Sequence, residues 1–449
     1  MKKWKRVATF AAVVLIVLLV IPFLIPMSSY VRQAEQIASA ELGVPVKLDS
    51  MRLAILPTPR LNVSGIVIGE HEEIRVDDVA VVPALLSLFS DTKVLSRVKV
   101  DKPIIKKAAL DILDKLTEGR EDEPARPAAV SVREIEVNNA KFEWPDMALP
   151  EFDAEITMTA SNMPESALIE TTDGKLKLNL TPQDNGTQTI NLTADDWTVP
   201  VGAPLLVNQL TADMVLHETS LEVTQLNAAL YEGKVSGSAN LDWVKDWHLN
   251  GKLGIENLAV KEPARLISKG THVSGHLFSD GTFNASAKEP AALTDQLKAN
   301  FRFNVKDGVL YGVDLSKAAS LLLRQGQKGG ETQFDELSGM ALVNGQQYRF
   351  KDMKIASGLM SANGDVKIKS DDTLDGLAKV KVKNSATLAE IPLQISGTLD
   401  DPVVMPTKAA MAGAAAGAVV GGPIGAGLGI KAAEGVESLR KGLFGGDEE

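Results

Sequence analysis

Histidines, carboxylates and hydroxyls are the residues that could carry out chemistry in this chain, because the sequence contains no cysteine. That absence excludes disulfides, thiolate metal sites and thiol catalysis. Only His272 and His276 lie close together in the sequence, and the glycines around them indicate strand or turn backbone rather than a helix. This pattern favours two structural histidines over a zinc site.

The carboxylates also form no recognisable site. The acidic turn at 371–376 lacks the alternating oxygen ligands and the closing glutamate of a calcium loop. The sequence contains no nucleophile elbow, phosphate-binding loop or dinucleotide fingerprint. We therefore expect a protein that is not an enzyme and that has no metal or cofactor. With 47 basic and 58 acidic residues, a nucleic-acid partner is not expected either.

The first 27 residues predict a membrane anchor. Four basic residues within 1–6 precede 19 uncharged residues at 7–25, close to the length that crosses a bilayer core of ~30 Å. A cleavable signal peptide is the alternative, but the apolar run is longer than its usual core and no cleavage site follows closely. Because basic residues stay on the cytoplasmic side, we expect a single-pass protein with a cytoplasmic N-terminus and its bulk on the far side of the membrane. An acidic, cysteine-free exported chain fits a bacterial envelope, so we expect the anchor in the inner membrane and the bulk in the periplasm.

Beyond the anchor, apolar and polar residues alternate with a period of two, as in strands with one apolar face. Dipeptides typical of hairpin turns, such as Asp173-Gly174 and Asn344-Gly345, separate the runs. The pattern predicts a mostly β chain with few helices and a long antiparallel sheet. The residues that we expect on its apolar face are Leu176, Leu178, Leu180, Val235, Leu241, Phe301, Phe303, Val305, Ile391, Leu393 and Ile395.

An apolar sheet face must be covered, and the predicted helices are too few to cover it. The alternatives are a β-sandwich, a closed barrel, or a curled sheet whose apolar groove is filled by something else. Acyl chains would suit such an aliphatic lining, which makes the residues of this face candidates for binding lipid. The residues alone leave these alternatives open.

Composition divides the chain into five segments. The anchor at 1–27 is followed by a first domain at 28–116 and a charged, proline-containing linker at 117–131. The β-sheet domain covers 132–406, and a Gly/Ala-rich segment and tail cover 407–449.

The Gly/Ala-rich segment contains 22 uncharged residues at 409–430, with glycine at every fourth position. Such spacing places the glycines on one helix face and permits close packing. As a free helix the segment would be unstable, so a membrane, a second copy or the protein's own groove must stabilise it. We expect a membrane-associated or self-associating hairpin, with a flexible low-complexity tail as the alternative. The zipper glycines are Gly413, Gly417, Gly421, Gly425 and Gly429.

Five stretches, at 42–70, 81–105, 306–318, 332–368 and 391–407, together resemble the AsmA family of bacterial envelope proteins in their order and spacing. The resemblance covers most of residues 1–407. It implies a chorein-like region at 28–116 and a curled β-sheet with an apolar groove. It also implies a membrane-anchored protein that holds or passively transfers phospholipid and supports outer-membrane assembly.

The partners that this resemblance implies are phospholipids, the inner membrane, and outer-membrane or envelope assembly proteins. The alternative is a non-enzymatic structural or assembly factor for outer-membrane proteins, which would bind them by strand addition at an open sheet edge.

Overall fold

A computed structural model describes residues 27–56, 58–90, 92–109, 112, 130–143, 149–200, 204–319, 328–383 and 390–444. These residues form a mostly β structure with few helices, which confirms the fold class predicted from the alternation. The apolar core of the predicted anchor lies outside the described residues. Within the described part of the chain, no helix is both long and apolar enough to cross a membrane. The chain divides into two compact units, Met1–Val201 and Gly202–Glu449.

The first unit contains one α-helix and ten strands among its described residues. Helix α1 is Ser28–Leu42, and short 3-10 turns occupy Leu85–Phe89 and Lys107–Ala109. Neighbouring strands pair antiparallel, except that β4 pairs in parallel with β5 and β6. The strands are β1 (Val46–Ala54), β2 (Arg60–Ile68), β3 (Ile74–Pro83), β4 (Lys93–Lys106), β5 (Val130–Val132), β6 (Glu134–Glu143), β7 (Phe152–Met158), β8 (Pro164–Thr171), β9 (Leu176–Pro182) and β10 (Gln188–Thr198).

The predicted linker at 117–131 lies in the chain between β4 and β6, two strands that pair in parallel. Parallel neighbours need a crossover connection of about a dozen residues or more, and residues 107–129 supply it. The charged stretch at 117–131 lies inside the first compact unit, and its last two residues already belong to β5. The predicted division into domains stays a prediction. The two compact units meet in sequence at Val201. The chorein-like description of residues 28–116 stays a prediction.

The second unit contains twelve strands, each paired antiparallel with the next along the chain. They form one hydrogen-bonded run, whereas the sandwich alternative would require two facing sheets. A 3-10 turn occupies Pro290–Ala292, and the α-helices are α2 (Lys261–Ile267), α3 (Leu315–Ala318) and α4 (Lys408–Phe444). The strands are β11 (Leu206–Leu216), β12 (Ser220–Leu230), β13 (Gly233–Asp242), β14 (Trp247–Ala259), β15 (His272–Ala287), β16 (Lys298–Tyr311), β17 (Glu331–Asn344), β18 (Gln347–Ala356), β19 (Met360–Ile368), β20 (Leu374–Val382), β21 (Ile391–Gly397) and β22 (Pro402–Pro406).

Bulges interrupt the two-residue period in several strands. In β16 the non-glycine residue Asp307 has a φ of 52°, and the neighbouring β15 has Gly275 at 119°. A bulge inserts an extra residue, which bends the strand and changes which residues point to each face. Val305 and Gly308 are consequently both buried although they are three positions apart.

Helix α4 folds back on itself. A Cβ atom on Gly413 would overlap the carbonyl oxygen of Gly429, whereas sixteen residues of straight helix would hold the two ~24 Å apart. The chain therefore reverses direction between two antiparallel helical arms. We call residues 408–434 the C-terminal hairpin.

Candidate functional site

Cross-strand register places apolar residues of the second unit in a row that crosses all twelve strands. Directly opposed residues share a sheet face, and each member of this row is apolar or glycine. Eleven steps of ~4.8 Å make the row ~53 Å long along the sheet. Its members are Ala212, Leu226, Gly237, Leu253, Gly281, Phe301, Ala341, Phe350, Val366, Gly376, Ile395 and Val404.

The first unit has a row of the same kind. It passes through every strand of that unit except the short β5, and all of its members are apolar. A second, parallel row contains Leu180 and is equally apolar, so the face is at least two residues wide. The first row consists of Met51, Val63, Val79, Val100, Val137, Ala154, Ile169, Leu178 and Leu192.

Most of this apolar face is only partly covered. Leu226, Leu253 and Phe301 of the second unit remain partly exposed, and so does Leu178 of the first. A packed core would bury aliphatic and aromatic side chains of this size almost completely. A large apolar surface that stays accessible is typical of a binding surface.

Glycines on this face leave room for large side chains of the neighbouring strands. A Cβ atom on Gly237 would lie 2.7 Å from a methyl carbon of Leu253, and one on Gly251 would overlap the ring of Phe283. Large side chains of one strand thus lean over glycines of the next. The face therefore offers a continuous aliphatic and aromatic surface rather than one deep well.

Helices cover the apolar face at β19 to β22. There α3 and the C-terminal hairpin pack directly on the strands, and Lys379 Nζ of β20 lies 3.0 Å from Glu434 Oε1 at the end of the hairpin. The hairpin is therefore stabilised by the protein's own sheet, the third of the three partners considered for it. The residues of this closed end include Leu315, Ala318, Met360, Ala362, Val380, Ile391, Leu393, Val404, Ala410, Ala414, Ala426 and Ile430.

A contact between distant strands shows how strongly this part of the sheet bends. Asp400, in the turn between β21 and β22, accepts a 2.8 Å hydrogen bond from the Ser268 hydroxyl and a 3.3 Å bond from the Gly270 N–H, both just before β15. Six strand spacings separate β15 from β21, or ~29 Å in a flat sheet. The Ser268 and Gly270 bonds hold the pKa of Asp400 below its usual value.

The outermost strand β1 is protected from pairing with other chains. Its backbone N–H groups at Leu48 and Val46 donate 2.9 Å hydrogen bonds to Glu35 Oε1 and Ser39 Oγ of α1. An uncovered edge would leave these groups free to pair with an added strand. Side chains of α1 therefore occupy positions that strand addition would need.

A cavity of about 600 Å³ lies across β12 to β15, but on the polar face of the sheet. On each of the four strands, the two polar residues that flank an apolar-face residue line the cavity. The backbone between these polar residues therefore forms the floor of the cavity. One polar row of the lining contains Glu222, Asn240, Asn250 and Asn284, and the next contains Ser238, Lys252 and Thr282. This cavity is therefore separate from the apolar face.

The predicted face residues separate into two groups. An accessible group remains partly exposed on the apolar face, whereas Val305 is buried there. Ile391 and Leu393 are buried beneath α3 and the hairpin, and Ile395 packs against the same cluster. Val305, Ile391 and Leu393 therefore do not line an open surface, whereas Ile395 is only partly buried. The accessible group is Leu176, Leu178, Leu180, Val235, Leu241, Phe301 and Phe303.

Sequence reasoning missed other members of the face, including Leu226, Leu253 and Phe350. Period-two alternation marks each of them within its own strand, but bulges shift the phase between strands. Of the zipper glycines, Gly413 and Gly429 are in contact, and Gly417 lies beside Gly429. The surroundings of Gly421 and Gly425 lie outside the described residues.

The described residues contain no group of three or more histidine, aspartate or glutamate side chains that could hold a metal. His272 stacks on Tyr311, with ring centroids 4.6 Å apart. Asp371 accepts bonds from the hydroxyl and N–H of Thr373, which lower its pKa. Its bonding is that of a turn.

Residues 190–346 match the model of the AsmA family, which confirms the resemblance over this segment. The match covers about a third of the chain, so this segment is similar to the AsmA family. The matched segment extends from within β10 to just beyond β17 and includes Leu226, Leu253 and Phe301 of the apolar row. No curated protein and no solved structure matches the chain.

Proposed function

We propose that this chain is a membrane-anchored envelope protein that holds or passively transfers phospholipid along its apolar face, in support of outer-membrane assembly. In this proposal the sheet forms a groove, residues 1–27 anchor the chain in the inner membrane, and the sheet lies in the periplasm. The observation that carries the proposal is the continuous apolar row of the second unit, which remains partly exposed at Leu226, Leu253 and Phe301.

The energetics of such a face suit an acyl chain. Each CH₂ group removed from water contributes ~0.8 kcal/mol, and an even aliphatic lining offers this at every position. A lipid is then bound without being trapped in one well, because neighbouring positions are nearly equal in free energy. The sequence has no nucleotide-binding motif, so movement would be passive or driven by a partner.

Strand addition, the alternative mode of action, has less support. At the β1 edge, Glu35 and Ser39 already bond the backbone groups that an added strand would use. The last strand, β22, begins and ends with prolines, Pro402 and Pro406, which cannot donate to a ladder.

A photo-crosslinking experiment on the full chain in its own membrane tests the lipid proposal. A photoreactive phenylalanine analogue replaces Phe301, and lipid adducts are identified by mass spectrometry. The matched control carries the analogue at Asn300, the next residue of β16, which is exposed on the polar face. We expect phospholipid adducts at position 301 and few at position 300. Equal adducts at both positions, or none at 301 in a folded protein, would contradict the proposal.

A pair of substitutions separates lipid binding from stability. The double variant Leu226→Gln/Leu253→Gln makes the accessible face polar. If each replaced leucine loses contact with about two CH₂ groups of the acyl chain, each substitution should weaken lipid binding ~15-fold. The control Leu393→Gln lies in the closed end, where the side chain is fully buried. It should lower the free energy of unfolding by ~3–5 kcal/mol. If both variants mainly destabilise the fold, the face is a packed core and not a lipid surface.

A further inference from the structure

The C-terminal hairpin is apolar on two opposite sides. On its first arm, one stripe faces the sheet and includes the buried residues Ala410 and Ala414. The opposite stripe, at helical spacing, is Ala412, Ala415, Ala416 and Val419, and all four are exposed. A helix that faces water on one side normally carries polar residues there, and one that is apolar all round is normally buried. The outer stripe therefore requires an apolar partner.

The exposed surface includes large side chains. Val419 of the first arm is 88% exposed and Leu428 of the second arm is 65% exposed. Nothing among the described residues covers either of them. The 22 uncharged residues form two arms of about eleven residues, each ~16 Å long. That length is close to half of a ~30 Å bilayer core.

The charges at the hairpin lie where a membrane surface would place them. Lys408 and Lys431, which border the uncharged run, are both exposed. Both lie toward the end away from the chain reversal, and Glu434 is paired with Lys379. Lysines beside an apolar helical surface favour anionic headgroups.

A second copy of the chain fits this surface less well. Close helix–helix packing uses glycine contacts, and Gly413 and Gly429 are already occupied with each other between the arms. The side that faces outward carries Val419 and Leu428 instead.

We infer that the outer side of the C-terminal hairpin docks on the surface of an anionic lipid bilayer, with Val419 and Leu428 entering its acyl layer. The hairpin thereby provides a membrane contact in addition to the predicted N-terminal anchor. Because the inner side of the same hairpin packs on Val380 and Leu393, this contact adjoins the closed end of the apolar sheet face. The inference does not depend on where a lipid lies on the sheet.

The absence of cysteine makes a site-specific test simple. The full chain carrying Val419→Cys is labelled with an environment-sensitive fluorophore and reconstituted in vesicles of phosphatidylethanolamine and phosphatidylglycerol. Leu428→Cys provides a second position on the hairpin. The control is Val244→Cys, which is 70% exposed between β13 and β14.

We expect a blue-shifted emission and several-fold stronger quenching by nitroxide-labelled lipid at the two hairpin positions than at Val244. Adding Lys408→Glu and Lys431→Glu should reduce the quenching at Val419. Emission typical of water at both hairpin positions would overturn the inference. Shielding that rises with protein concentration but resists lipid-borne quenchers would also overturn it, because a second copy would then be the partner. The lipid adducts at position 301 are measured separately, so either proposal can fail without the other.

Discussion

Replacing Gly413 with alanine sets helix propensity against packing in the C-terminal hairpin. In an ordinary helix, glycine to alanine stabilises by ~1 kcal/mol. In this hairpin the new methyl group would lie 2.8 Å from the carbonyl carbon of Gly429 and 2.9 Å from the Cβ of Ala433. Ordinary carbon contacts are ~3.5–4.0 Å, so the arms would have to separate by about 1 Å.

The packing effect is expected to exceed the propensity gain. Overpacking of this kind costs ~1–3 kcal/mol, and separating the arms also loosens the contacts of Ala414 and Ile430 with the sheet. Gly413→Ala should therefore destabilise the hairpin by a net ~1 kcal/mol, which is opposite in sign to the propensity expectation.

Hydrogen exchange of the backbone amides of the first arm measures this effect, because it reports the free energy of local opening. The control is Ala416→Gly on the exposed stripe, which should cost ~1 kcal/mol through propensity alone. If Gly413→Ala slows exchange, as it would in an isolated helix, the arms are not in contact and the description of the hairpin is refuted.

Two further predictions concern the hydrogen bonds of Asp400, where the sheet bends, and of Glu35, at the β1 edge. Asp400→Asn removes a charged acceptor, so exchange at the Gly270 amide should rise. In the unmodified chain, the stabilisation from the lowered pKa of Asp400 is fully present above the ordinary aspartate pKa of ~3.9 and is lost as pH falls through the lowered value. Unchanged exchange in the variant would contradict a role for this bond in holding the turn. Glu35→Ala should leave the Leu48 N–H of β1 without its acceptor, at a cost of ~1 kcal/mol, and so raise the hydrogen-exchange rate of that amide. The control Glu41→Ala, on the same helix, should leave the rate unchanged. Equal effects of the two substitutions would contradict edge protection by α1.

Several elements could be predicted because they depend on local pattern. Alternation in β9 and β16 predicts strands, and it assigns Leu178 and Phe301 to an apolar face without any tertiary information. The regular glycines at 409–430 likewise predict closely packed helical arms. Leu226 and Leu253 follow the same alternation but become recognisable as members of one row only through the register.

Other features depend on contacts between residues far apart in the chain. The sequence does not reveal that β4 and β6 pair in parallel, because the charged connection between them looks the same as a linker between domains. It does not distinguish Leu178 from Leu393 either, since both are leucines in alternating strands. Tertiary structure decides that the first stays partly exposed and that the second is buried beneath the hairpin.

The absence of cysteine and of any catalytic or cofactor-binding motif is a property of the sequence itself, as is the chain's aliphatic two-residue period. Only the tertiary structure decided where that aliphatic surface remains open. Bulges set which residues of each strand point to which face, and the bond from Ser268 to Asp400 joins two connecting segments whose strands are distant in the sheet. Period-two alternation specifies that a face is apolar, but what covers the face depends on packing between segments that lie far apart in the chain.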